Sequence, residues 1–511
     1  MDAPDRGGDV PRQLALFDVG RREVAVVFDQ GDVTTDTGLL AVRQLDRRLG
    51  VVAGLAARMP DPRSAPAVTH TTEDVLTQIL YQILAGYFDA NDADVLRDDA
   101  LFRTIVGRDP DDDEHGALAS GSTLARFRYA FTRREHEQPV DERTIDQEVQ
   151  QAKIQRVGAF NEWLAELFVA TRKTKPPRIV LDIDATDDPT HGQQQLTLFH
   201  GYYEQWQYLP QLIFEGDSGF PLAALLRPGT AHASWGAVAL IEPLVALFRR
   251  TWPGIEIIVR ADCGYAVREL YEFCEANDVR YAIGFPTNDV LKRRADLTMN
   301  YVAATADLYN EPRRQFVNIT DYQAASWDRP RRVIGKCEIT AKMGPNQRFV
   351  ISDLAGPPRD VYTFYTGRGD TPERGIGQLK HGLSIDRLSS TRFLANAFAM
   401  HCHVAAYALF VLFREANASV PEIAEHTLST VRSRVFKCGA VVQTTTRQIR
   451  FHASSTWPGR GLFARVLAVI AAFARTIGDI AGRLAGNSRS TAPTSSASTT
   501  IMPVAPSAAP M

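Results

Sequence analysis

The chain has 511 residues, 45% apolar and 23% charged, with a net charge of −3. The composition is ordinary globular, the length suffices for two to four domains, and the net charge does not announce a nucleic-acid binder. Five cysteines (Cys263, Cys274, Cys337, Cys402 and Cys438) form no CxxC pair, which argues against a disulfide framework or a zinc ribbon and fits a reducing cytosol.

The even net charge hides an asymmetry. Between Thr427 and Arg475 lie eight basic residues and no Asp or Glu, whereas Asp89 to Glu114 is strongly acidic. Such a split suggests a polyanion-binding surface at one end. The N-terminus, Met1-Asp-Ala-Pro-Asp-Arg6, has no apolar core of a signal peptide. The apolar segment Leu462 to Ala485 is interrupted by Arg465, Arg475, Asp479 and Arg483, so it reads as an amphipathic helix rather than a membrane span.

Residues 1–69 carry short strand-like runs among Gly, Asp and Arg. Thr71-Thr-Glu-Asp74 can cap a helix, with Val75, Ile79, Leu80 and Ile83 following at helical spacing. Further helical patterns lie at 99–106, Ser122 to Arg134 and Glu148 to Arg172, so 70–175 reads as a helical domain. At Pro176 the period changes. Arg178 to Asp184, Leu196 to Tyr202 and Tyr208 to Phe214 read as three strands, then Ala233 to Arg250 as a helix. Glu256 to Arg260 is a fourth strand, Val267 to Asn277 a helix, and Arg280 to Phe285 a fifth strand. Three antiparallel strands followed by βαβ units is the ribonuclease-H-like order.

Residues 289–360 interrupt this α/β core, which covers 176–288 and resumes at 361–420. The interruption has β character at Gln315 to Thr320, Arg332 to Thr340 and Arg348 to Ser352, with a turn at Gly344-Pro-Asn346, and reads as a small inserted sheet. A basic helical region, 421–485, follows, then a Ser/Thr/Ala/Pro-rich tail, 486–511, that reads as disordered.

Three acidic residues stand out. Asp184 and Asp262 each close a β-type apolar run, and Glu373 opens a helix after Pro372. Carboxylates brought together from two strands and a helix suit a pair of Mg²⁺ ions that activate a nucleophile and stabilise a leaving oxygen at phosphorus. The plainer alternative is that the two aspartates cap strand ends. Asp182 lies on the same strand face as Asp184 and is either a supporting residue or itself the first ligand. Asp187 and Asp188 read as exposed turn residues. His401 and His403 point to different helix faces and do not form a metal pair.

The segments Gly86-Tyr-Phe-Asp-Ala-Asn-Asp-Ala-Asp94, Leu181-Asp-Ile-Asp-Ala-Thr-Asp-Asp-Pro-Thr-His-Gly192, Arg260-Ala-Asp-Cys-Gly264 and Lys437-Cys-Gly-Ala440 occur in an order that resembles the DDE transposases of bacterial insertion sequences. These belong to the ribonuclease-H/retroviral-integrase superfamily. The resemblance implies Asp184, Asp262 and Glu373 as catalytic metal ligands, with two Mg²⁺ ions for which Mn²⁺ can substitute. Tyr365, Arg368, Glu373 and Lys380 match a Tyr-Arg-Glu-Lys motif, except that Arg368 lies five residues before Glu373 where the family usually has four.

Lys380, Arg368 and Tyr365 are thereby expected at the DNA beside the cut. In the insert, Arg331 and Arg332 are expected on DNA, and Trp327 either stacks on a base or anchors the sheet. Arg432 and Lys437 in the basic stretch are expected to hold flanking DNA. The implied protein is cytoplasmic and bacterial, with no membrane partner. It binds transposon end repeats and target DNA as a homodimer. The alternatives are a nuclease of this fold without strand transfer, or an inactive DNA-binding relative.

Overall fold

Eight strands form one mixed sheet: β1 (Arg178–Ala185), β2 (Gln211–Glu215), β3 (Pro221–Leu225), β4 (Glu256–Ala261), β5 (Arg280–Phe285), β6 (Arg313–Tyr322), β7 (Arg331–Thr340) and β8 (Gly344–Ser352). Their spatial order is β6-β7-β8-β5-β4-β1-β2-β3. The structure, a computed structural model, describes residues 13–27, 31–59, 61, 63, 68–112, 116–132, 158–309, 311–340, 344–370 and 372–477. The expected tail at 486–511, and the parts of the expected helices at 133–134, 148–157 and 478–485, lie outside these residues.

The centre of the sheet follows from sequence. Ile179, Val180, Leu181 and Ile183 of β1 are all fully buried, the unbroken apolar pattern of a strand covered on both faces. β1, β4 and β5 are parallel neighbours. The crossover from β3 to β4 contains the helix Ala237–Thr251, and that from β4 to β5 the helix Arg268–Ala276. The remaining pairings are antiparallel.

The structure corrects the sequence reading in three places. The expected strand at 196–202 does not join the main sheet. Leu198–His200 pairs instead with Gln205–Tyr208, which pairs with Asp188–Pro189, in a small separate sheet formed by the chain segment that connects β1 to β2. The third strand of the main sheet is β3, whose Pro221 stands at its first residue on the sheet edge, where a missing N–H is tolerated. The inserted strands β6, β7 and β8 are not a separate sheet, because β8 pairs directly with β5 and extends the main one. They are preceded by a helix, Asp289–Tyr309, that the sequence reading lacks. This helix and the helix Pro358–Thr366 lie on opposite faces of the extension, contacting alternate side chains such as Val333 and Ile334.

The expected cap at Thr71 is present. Its hydroxyl accepts from the Asp74 amide and the Asp74 carboxylate accepts from the Thr71 amide, both at 3.1 Å. The capped helix, Thr72–Ala85, packs on the helix Phe393–Ala416. Phe393–Ala416 is long and apolar enough to cross a membrane, but its apolar window is wholly buried inside the fold. Early and late segments meet as well: Val33–Thr34 pairs with Ala440 and Val441, and the helix Leu39–Leu49 contacts the helix Arg460–Ile477.

Candidate active site

β1 and β4 run side by side in register, Arg260 opposite Asp182 and Ala261 opposite Ile183. Both strands therefore deliver an aspartate to the same end of the sheet. Asp184 is the penultimate residue of β1 and only 9% exposed. Asp262 follows β4 and caps a short turn, its Oδ1 accepting from the Gly264 amide at 2.9 Å. Burial pushes the Asp184 carboxyl up to about 6, with Asp262 adding to the effect and Arg368 opposing it. The two carboxylates are thus close enough to feel each other.

Arg368 lies among them. Its Nη2 donates to Asp184 Oδ2 at 3.0 Å, and its side chain is mostly buried. Burial works against its charge, but Asp184, Asp262, Tyr365 and Asp182 outweigh burial and hold the proton more firmly than water would. Tyr365 stands beside it. Burial raises the Tyr365 phenol, opposed by Arg368 and supported by Asp262. The extra residue between Arg368 and Glu373 therefore leaves Arg368 in contact with the site.

Asp182 is occupied differently. Both of its oxygens accept from Arg260, each at 2.6 Å, and it is fully buried. Arg260 also donates to the Phe364 carbonyl at 2.8 Å, tying β4 to the helix that carries Tyr365. Both oxygens of Asp182 are thus engaged by a buried guanidinium, whereas Asp184, at the strand mouth, accepts from the Ala185 amide at 3.0 Å and from Arg368.

Lys380 completes a second pair. Its ammonium donates to Asp187 Oδ1 at 2.6 Å, and Asp187 Oδ2 accepts from Gln205 at 3.2 Å. Burial tends to raise the Asp187 carboxyl, but Lys380 and Gln205 hold it below the usual range. Asp187 and Asp188 are not the exposed turn residues expected. Asp188 is 1% exposed and neither oxygen has a hydrogen-bond partner among the described residues. Burial, reinforced by Asp386 and opposed by Lys380, pushes it up to about 8.

Glu373 is placed in the first turn of the helix Pro372–Gly377 and is exposed. Its carboxylate lies near Gly369, 3.8 Å from the point where a side chain there would begin. Among the described residues no three carboxylate, imidazole or thiol side chains gather tightly enough to hold one ion. Asp184 and Asp262 come to the same end of the sheet, and Glu373 is not part of their group. The donor chemistry of the two aspartates, hard oxygens at rigid strand ends, fits a divalent cation.

The other expected DNA contacts are engaged within the protein. Trp327 is 8% exposed, edge-on to Tyr271, Phe285 and Tyr322, so it anchors the extended sheet and offers no face to a base. Arg331 donates to both Glu275 oxygens and to Asp328. Arg332 donates to Asn318, to the Gly356 carbonyl at 2.8 Å and to the Leu354 carbonyl. Arg432 donates to the carbonyls of Leu84 and Ile83 at the C-terminus of the Thr72–Ala85 helix and to that of Gly382. Lys437 pairs with buried Asp36 at 2.6 Å.

Sequence reasoning missed Arg260, Gln205 and Asp188. A signal existed for Arg260, since Arg260 and Asp182 each precede an aspartate by two on neighbouring buried strands.

A family model described as the transposase DDE domain, group 1, matches residues 17–475. No curated protein matches the chain. Among solved structures, a piggyBac transposase in a synaptic complex with hairpin DNA is similar over 91% of this chain and 85% of that one, at 12% identity and a TM-score of 0.42.

Proposed function

The chain belongs to the group 1 transposase DDE-domain family, and on that premise we propose that it binds the ends of a mobile element, hydrolyses a phosphodiester there and joins the freed end to target DNA. The observation that carries this reading is the arrival of Asp184 and Asp262 at the mouths of two parallel strands, with Arg368 bonded to Asp184 and within electrostatic reach of Asp262. The strand order β3-β2-β1-β4-β5 supports a ribonuclease-H-like core at 176–288 and 361–420, extended by the insertion at 289–360.

In this proposal Asp184 and Asp262 would hold Mg²⁺, for which Mn²⁺ can substitute, with Glu373 on the neighbouring helix as the third carboxylate. Bound there, the ions would supply Lewis-acid charge for a displacement at phosphorus. The chain's own part is orientation. The sheet fixes the two aspartates, and Arg260 holds Asp182 out of the way. Arg368 gives the carboxylates a counter-charge, and its guanidinium is well shaped to hold a phosphate oxygen beside them. Lys380 and Tyr365 are the further candidate contacts to the DNA beside the cut.

The helical region 70–175 is the candidate reader of the end sequence, within a cytoplasmic bacterial protein of insertion-sequence type acting as a homodimer on DNA. The exposed arginines Arg447, Arg450, Arg460 and Arg475 replace Arg432 and Lys437 as candidate phosphate contacts in the basic region 421–485. The test is Asp262→Asn in the full chain with DNA carrying the flanking terminal repeats and Mg²⁺. DNA affinity is expected to stay and nicking to fall by at least about a thousandfold, because a metal position is lost. Nicking near the wild-type rate removes Asp262 from the chemistry.

A further inference from the structure

Between β1 and β2 the small sheet carries an aromatic hairpin that no step above uses. Phe199 and Trp206 face each other across its strands with ring centres 6.1 Å apart. Tyr202 and Tyr203 occupy the turn, 5.0 Å apart and nearly perpendicular. Phe199 is 49% exposed, Trp206 57% and Tyr202 84%. Aromatic surface of this extent in water is a standing cost unless something covers it.

Its position says what. The hairpin is tied to the candidate site through Gln205, which bonds the same Asp187 that holds Lys380. Tyr203 lies within electrostatic reach of Asp184 and Asp262, which add to the effect of burial, Asp187 and Tyr202 on its phenol. The patch is made of ring faces with Leu198 as its single exposed aliphatic residue, which suits flat aromatic heterocycles better than a protein surface of branched side chains. Basic groups, Lys380 and Arg368, lie on the side of the carboxylates, where a phosphate backbone would run.

We propose that Trp206, Tyr202 and Phe199 form a stacking platform for an unpaired nucleobase of the DNA strand whose phosphate lies at Asp184 and Asp262. This rests on the DNA-cutting reading above. The ligand class is single-stranded or locally unpaired DNA, bound without strong base preference because every base presents a π-face.

The test is a fluorescence titration of the full-length chain with a thymidine oligomer of about 12 nucleotides and with a duplex of the same length. Trp206→Ala and Tyr202→Ala are each expected to weaken oligomer binding about tenfold while duplex binding changes less than about twofold. Trp206→Phe, which keeps a ring, is expected to retain the affinity and to lose the oligomer-induced quenching of tryptophan emission. Because these side chains are exposed, the melting temperatures should stay close to that of the parent chain.

Alanine variants that fold normally and bind the oligomer as tightly as the parent overturn the platform and leave the DNA-cutting reading intact. So does a loss of self-association with unchanged DNA affinity, which makes the patch a contact for a second copy. An intact chain that binds neither DNA overturns both readings.

Discussion

Asp182 and Asp184 sit two residues apart on one strand, yet each has its own arginine, and the two arginines do different work. Arg260 is bonded to both oxygens of a carboxylate with no exposure. Removing one partner of such a pair strands a buried charge, so Arg260→Ala should cost about 3–5 kcal/mol of stability. Lysine should rescue poorly, since it cannot reproduce the two parallel bonds. Thermal and denaturant unfolding check this, and a loss below about 1 kcal/mol would mean that the pair is not structural. Asp184→Asn should instead leave folding nearly intact and abolish nicking.

Asp188 gives a pH signature. Its folded carboxyl is pushed up to about 8 by burial, well above its unfolded value. The folded state therefore binds this proton more tightly, and stability falls as pH rises from about 4 to about 8. Asp188→Asn should flatten that fall by a few kcal/mol, read as melting temperature against pH. An identical slope in the variant would move the titration elsewhere.

At the scale of elements, the site depends on how closely β5 approaches the loop after β4. A Cβ at Gly284 would stand 2.7 Å from the Tyr365 hydroxyl and 2.8 Å from the Cys263 amide. Gly284→Ala must therefore displace Tyr365 or the Asp262 loop. The expected cost is about 1–3 kcal/mol, with nicking reduced and DNA affinity kept. A variant with unchanged nicking and stability would show that the loop gives way freely.

The elements also show where the sequence was legible. β1, β4 and β5 are dense apolar runs, and Asp184 and Asp262 stand at strand ends as expected because a buried strand has little choice of boundary. β3 escaped because its run is short and opens with Pro221. The small sheet escaped because the exposed aromatics between Leu198 and Trp206 mimic a core strand. The arginines of the insert and of the basic region were legible as charge but not as partners, since register and packing decide whether Arg331 meets Glu275 or Arg432 meets the end of a helix.

At the scale of the whole molecule, regions far apart in sequence are sewn together. Asp36 is buried against Lys437, and Val33–Thr34 depends on Ala440 and Val441 for its strand partner. Truncation after Phe436 removes these contacts and the helix that covers Leu39–Leu49. The shortened chain is expected to melt several degrees lower and to be cut by proteases within 31–59. Equal protection in the truncated and full chains would make the C-terminal region an independent appendage.

The buried helix Phe393–Ala416 has a further consequence, for the making of the protein. It fills the interior against which Thr72–Ala85 packs, and it is encoded more than three hundred residues later. A ribosome adding about 5–20 residues per second leaves the earlier helix without its partner for roughly 15–70 s. Through that interval Val75, Leu76, Ile79 and Leu80, all buried in the finished fold, have no Phe393–Ala416 surface to close on. The nascent chain is therefore expected to engage holding chaperones and to complete its folding only near the end of translation, which ribosome-stalled chains ending before and after Phe393–Ala416 would check by protease protection of Thr72–Ala85.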